Sequence, residues 1–133
     1  MKSIQSNIKI AKKYLNKDDC VGIPTETVYG LAANAYSSKA TLKIFKLKKS
    51  PADNPLIVHY YRLGDLEKDC ETTNIFYKLY KSLCPGPITF ILELKKNSKI
   101  SKFVTNKKKT LAVRFPNHRL TRMLLKKIKY PLA

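Results

Sequence analysis

The residues of this chain best suited to chemistry lie in three short stretches: GIPTETVYGLA at 22–32, KLKKSPADNPLIVH at 46–59 and LAVRFP at 111–116. Thr25 and Thr27 follow an apolar run, where their hydroxyls and the nearby backbone N–H groups can take a carboxylate, an amine or a phosphate. Tyr29 can wall such a pocket and donate a hydrogen bond. Lys46, Lys48 and Lys49 then set positive charge at the end of a helical stretch, ready to neutralise phosphate charge as it develops in transfer. Asn54 and His59 bound the next apolar strand. Arg114 sits where Leu111, Val113 and Phe115 share one strand face and Ala112 the other with it. An inward arginine needs a partner, which a ligand carboxylate, Glu26 or Glu93 would supply.

Each residue also has a plain structural role open to it. Thr25 can order a turn or cap a helix. The lysines suit a helix C-terminus, whose dipole favours cations by about 0.3–1 kcal/mol. Asn54 can order a turn beside Pro55, and His59 can be a satisfied core histidine. The chain has no Walker lysine loop, no GxGxxG and no Ser-His-Asp candidate, which removes the commonest nucleotide-binding and hydrolase readings. Cys20, Cys70 and Cys84 are widely spaced and form no CxxC, and His59 and His118 form no HExxH, so neither a disulfide framework nor a protein metal site is expected.

Positioning these groups requires strands that alternate with helices. Ser3 caps a first helix with Ile4, Ile8, Ala11 and Leu15 on its apolar face. Strands are expected at 20–23 and 31–36. Ser37 or Ser38 starts a second helix that cannot pass Pro51. A strand follows at 56–60, and a helix capped by Thr73 ends at the CPGP break. Strands at 88–94 and 110–115 flank a lysine-rich loop, and Asn117 caps a last helix bearing Leu120, Met123, Leu124 and Ile128. The pattern gives one α/β domain over residues 1–133 with a mixed sheet.

The 133 residues carry a net charge of +18, with no acidic residue after Glu93. Such a field attracts polyanions regardless of sequence. Lys outnumbers Arg 23 to 4, a ratio that an A/T-rich coding sequence would also produce, so both explanations stand. No run is long and apolar enough to span a bilayer, and the N-terminus lacks a signal-peptide core. The expectation is a soluble, cytoplasmic protein that does not contact a membrane.

PTETVYGL at 24–31, the Lys48…Pro51…Asn54-Pro55-Leu56-Ile57-Val58-His59 segment, PGPIT at 85–89 and AVRFP at 112–116 occur in this order across almost the whole chain. Together they resemble the YrdC-like threonylcarbamoyl-AMP synthase family. The resemblance implies an open, twisted mixed sheet with flanking helices around a basic concave groove. It implies condensation of L-threonine, bicarbonate and ATP to threonylcarbamoyl-AMP and pyrophosphate, assisted by Mg²⁺. A partner transferase complex would pass the threonylcarbamoyl group to tRNA. Carried over by position, Thr27, His59 and Arg114 would lie at the threonine subsite with Tyr29 nearby. Lys48, Ser50, Asn54 and Thr110 would face ATP, Lys48 being the catalytic charge. Ser50 departs from the family's usual arginine. The family pattern also runs on past Ala133 into a Ser-x-Asn motif, so the domain is expected to be incomplete at its C-terminus. The rival reading from another class is a non-catalytic module that binds double-stranded RNA or tRNA through the same groove. The related carbamoyl-transfer domain of hydrogenase maturation proteins is a third reading, but it would sit in a much longer chain with zinc-finger-like cysteines.

Overall fold

In a computed structural model, residues 4–24, 29–49 and 55–133 are described. Among the described residues, five helices and five strands follow in the order α1 (Ile4–Asn16), β1 (Val21–Pro24), β2 (Tyr29–Ala32), α2 (Ser38–Lys48), β3 (Ile57–His59), α3 (Leu63–Asp69), α4 (Asn74–Leu83), β4 (Thr89–Glu93), β5 (Thr110–Arg114) and α5 (Arg119–Lys127). The α/β expectation holds. Ser3 lies outside the described residues.

β1 and β2 form an antiparallel hairpin, and a second sheet has the order β3-β5-β4, parallel between β3 and β5 and antiparallel between β5 and β4. The last three residues join the two sheets. Leu132 exchanges backbone hydrogen bonds with His59 at 2.7 and 3.1 Å, while Ala133 exchanges them with Ala33 at 3.2 and 2.9 Å. The Ala35 N–H also donates to the Pro131 carbonyl. Pairing therefore continues from β2 through residues 131–133 to β3, although these three residues carry no strand period in the sequence.

One face of β3-β5-β4 covers the larger core. Val58, Leu111, Val113, Phe115 and Phe90 are buried there with Tyr60, Phe76 and Ile44. Edge-to-face pairs of Phe76 with Phe90 and Tyr80 with Phe115, both at 4.9 Å between centroids, fix α4 against the sheet. A second core of Ile8, Leu15, Ile23, Leu124, Leu125 and Leu132 lies between α1, α5 and the hairpin.

Local chemistry explains the element ends. Ser37, rather than Ser38, caps α2 by accepting from the Ala40 N–H, and Thr73 caps α4 by accepting from the Phe76 N–H. The cap of α5 is His118, not Asn117: its Nδ1 accepts from the Leu120 N–H at 3.2 Å. α2 ends at Lys49 in the left-handed region (φ 53°), where the N–H reaches back to the Lys46 and Phe45 carbonyls. Between α4 and β4, Gly86 has no room for a side chain, because a Cβ would stand 2.5 Å from the Leu83 carbonyl oxygen.

Candidate functional site

The core alternation of β5 decides what its other face presents. With Leu111 and Val113 buried, Thr110, Ala112 and Arg114 must point away from the core. The register then puts His59 of β3, Arg114 of β5 and Thr89 of β4 side by side in one row, which spans roughly 10 Å at two strand spacings. Ile57 and Ile91 flank this row on the same face and are exposed. A small polar cluster thus sits on an open, partly apolar sheet face.

Among the described residues, the Thr89 hydroxyl holds Arg114 in that row. Its Nε and Nη2 both donate to Thr89 Oγ1, at 3.1 and 2.8 Å. The ion pairs among the described residues are Lys43–Asp19, Arg62–Asp65 and Lys68–Asp65, so Arg114 meets no carboxylate there. Glu93, which the sequence offered as a partner, lies opposite Thr110 at the far end of β5. Among the described residues the guanidinium is therefore oriented by a neutral group. His59 is half-buried beside Arg114, and its backbone is fixed by Leu132.

The other candidates are spread more widely. Thr110 shares the Arg114 face, but four residues along the strand place it about 13 Å away. Lys48 is exposed in the last turn of α2. Tyr29 opens β2 opposite Pro24 and is 80% exposed, and among the described residues no hydrogen bond or ring contact ties it to the row. Thr25, Glu26, Thr27, Ser50 and Asn54 lie outside the described residues.

Two supporting contacts link residues too distant in sequence to be paired by inspection. The buried Thr121 hydroxyl of α5 donates to the Pro24 carbonyl, which fixes the strand end leading to Thr25. Asp69, 1% exposed, accepts from the Tyr36 and Tyr60 hydroxyls on Oδ2, both at 2.8 Å, and from Ser98 Oγ and the Lys99 N–H on Oδ1. This buried acceptor ties α3 to the strand residue after His59 and to the loop leading to Thr110. The lysine-rich loop is therefore pinned, with Ser101, Val104 and Thr105 buried beneath its charges.

The same hub gives the protein an alkaline limit. Burial pushes the Tyr60 and Tyr36 phenols well above their usual value of 10, with the Asp69 charge adding to it. Burial also pushes the Cys70 thiol from 9 to about 12. Below about pH 8 all three are protonated in folded and unfolded chains alike, so their contribution to stability is fully present. Above it the unfolded chain loses protons that the folded chain retains, and stability falls. Thermal melts should show a midpoint that is level from about pH 7 to 8 and drops progressively past about 9, with a shallower drop in Tyr36→Phe. A level midpoint to pH 11 would contradict this account.

The chain matches the family Sua5_yciO_yrdC, described as "Telomere recombination", over residues 13–133. It is 38% identical over 127 residues to the threonylcarbamoyl-AMP synthase of Pyrococcus abyssi, which covers 95% of this chain and 37% of that protein. With the enzyme of the same name from Bacillus subtilis it shares 40% over 124 residues, covering 92% of this chain and 36% of that one. The crystal structure of P. abyssi Sua5 complexed with L-threonine superposes with a TM-score of 0.92 at 36% identity, covering 97% of this chain and 38% of that one. The chain thus spans a little over a third of the length of these relatives. Sequence and fold agree: the chain belongs to the Sua5/YciO/YrdC family.

Proposed function

We propose that this chain carries the amino-acid-binding face of an L-threonylcarbamoyladenylate synthase, which makes threonylcarbamoyl-AMP and pyrophosphate from L-threonine, bicarbonate and ATP for tRNA modification. The observation that carries the reading is the His59–Arg114–Thr89 row, with an arginine oriented by a hydroxyl and no carboxylate paired to it among the described residues. Relatives named for this activity and a Sua5 solved with L-threonine support it.

In this reading Arg114 takes the threonine carboxylate through its outer N–H groups. His59 and Tyr29, with Thr27 from the preceding segment, complete the amino-acid subsite. The threonine amine adds to the carbon of bicarbonate with loss of water, giving a carbamate. A carbamate oxygen then attacks the α-phosphorus of ATP, and the bond to pyrophosphate breaks. Lys48 supplies charge to the phosphates, and Ser50, Asn54 and Thr110 face the nucleotide. Among the described residues no three carboxylate, histidine or cysteine groups gather to hold a cation. The Mg²⁺ expected with ATP would be held mainly by the nucleotide's own phosphates and by water, and would neutralise phosphate charge there.

The test is threonine- and bicarbonate-dependent release of pyrophosphate from ATP, read beside direct threonine binding. Wild-type protein should bind threonine, and Lys48→Ala should lose turnover while keeping that binding. Neither turnover nor threonine binding by the folded protein would overturn the proposal.

A further inference from the structure

The outward face of the β3-β5-β4 sheet is banded. Two residues along each strand from the polar row His59–Arg114–Thr89, the register sets Ile57, Ala112 and Ile91 opposite one another. The next row on this face brings Thr110 of β5 to Glu93 of β4. Successive rows of one face stand roughly 7 Å apart. An apolar band thus lies between two polar ones, on the side of the sheet where polar residues are the rule.

This band is not core. Val58, Phe90, Leu111 and Val113 fill the opposite face, whereas Ile91 is 66% exposed and Ile57 36% exposed. Strand propensity favours a β-branched residue at either position, but threonine would serve it as well. Propensity therefore does not explain why both outward positions are purely aliphatic. Ala112 between them is small, so the band forms a shallow trough along β5 that starts at Arg114 and has the two isoleucines as walls. The guanidinium of Arg114 is drawn toward β4 by Thr89 Oγ1, at 3.1 and 2.8 Å. A carboxylate gripped there lies on the β4 side, where Ile91 is the next outward residue.

We propose, resting on the amino-acid-binding reading of this face, that Ile91 takes the β-methyl of the bound amino acid and so favours threonine over serine. Ile57, across Ala112, is the weaker second wall. Threonine and serine share a carboxylate, an amine and a hydroxyl, so Arg114 grips them alike. Telling them apart needs an apolar surface beside the carboxylate site, and the Ile57–Ala112–Ile91 row is the apolar surface that adjoins it. One methylene in a hydrophobic pocket is worth about 10–200-fold in discrimination. The open side of Ile91 puts this face at the low end of that range, about tenfold.

The experiment is calorimetric titration of the purified protein with L-threonine and, separately, with L-serine. Wild type should bind threonine about tenfold more tightly. Ile91→Ala should bring that ratio below about 3, by weakening threonine binding while serine binding stays nearly the same. Ile91→Val keeps a branched aliphatic surface and should keep most of the preference. Ile57→Ala should lower the ratio less than Ile91→Ala does. Ile75→Ala removes an isoleucine that is 70% exposed on α4 and should change neither affinity. All four variants should melt within about 5 °C of wild type, because the replaced side chains are exposed. A ratio that Ile91→Ala leaves unchanged, equal losses for both amino acids, or a wild type that binds the two alike would overturn this inference and leave the amino-acid-binding reading standing. Folded wild type that binds no threonine would overturn that reading, and this inference with it.

Discussion

Arg114→Met is expected to raise the dissociation constant for L-threonine by about 10- to 150-fold while leaving the folded domain almost as stable as before. The affinity figure follows from the roughly 1.5–3 kcal/mol that a hydrogen bond to a charged group contributes. The small stability cost follows from position. Arg114 lies on the open face of β5, half-buried, and the group that orients it is a hydroxyl, so methionine strands no buried charge. A midpoint shift within about 3 °C is expected. Arg114→Lys should fail to restore binding. An ammonium is a point charge and cannot donate to Thr89 and grip a carboxylate in plane at the same time. Thr89→Val should weaken threonine binding less than Arg114→Met, because the charge stays and only its orientation is lost. The Arg114→Met and Thr89→Val effects should then fall short of additive when combined, as expected for groups acting through each other. Calorimetric titration with threonine decides the matter. Unchanged affinity in folded Arg114→Met would remove the assigned role.

Much of this is legible in the sequence because the informative residues sit in locally patterned segments. LAVRFP alternates with period 2, which by itself assigns Arg114 to the non-core face. Thr73 and Ser37 precede helical periods and cap them as expected. What escapes inspection depends on tertiary contact. α3 is seven residues, polar on most sides, and begins at Arg62 without a side-chain cap, so neither period nor cap announces it. Pro131, Leu132 and Ala133 are too few to show a strand pattern, and their place between β2 and β3 is set by partners about 70 and 100 residues away. Asp69 looks like one acidic residue in a polar stretch, and only the fold gathers two tyrosines around it. The pairing of Thr121 with Pro24, 97 residues apart, has no local signature at all. His118 takes the cap expected of Asn117 because an imidazole nitrogen can accept as well as an amide oxygen does.

Asp69→Ala should cost the domain about 3–5 kcal/mol, far more than the Arg114 or Thr89 substitutions. The carboxylate is 1% exposed and accepts four hydrogen bonds, from two phenols, one hydroxyl and one backbone N–H. Removing it leaves these donors facing a cavity instead of water. Each orphaned buried donor costs about 1–3 kcal/mol, with sharing among neighbours keeping the sum well below four times that. A domain stable by about 5–15 kcal/mol loses a large fraction of its margin. Asp69→Asn keeps one acceptor oxygen but turns an NH₂ toward donors, so it should recover only part of the loss. Tyr36→Phe and Tyr60→Phe added to Asp69→Ala should restore stability relative to Asp69→Ala alone, because they withdraw two of the stranded donors. That reversal separates a hydrogen-bond hub from simple packing, where every further truncation would make matters worse. Urea unfolding followed by circular dichroism reads each of these variants. A loss below about 1 kcal/mol in Asp69→Ala, or further destabilisation in the triple variant, would contradict the hub. The consequence for function is directional. Asp69 holds Ser98 and the Lys99 N–H, and the loop they begin is anchored again where Ser101 Oγ meets Ser38 Oγ at 2.7 Å before it delivers Thr110. Loosening that loop should therefore weaken ATP binding more than threonine binding, because Arg114 keeps its own partner in Thr89 on the neighbouring strand.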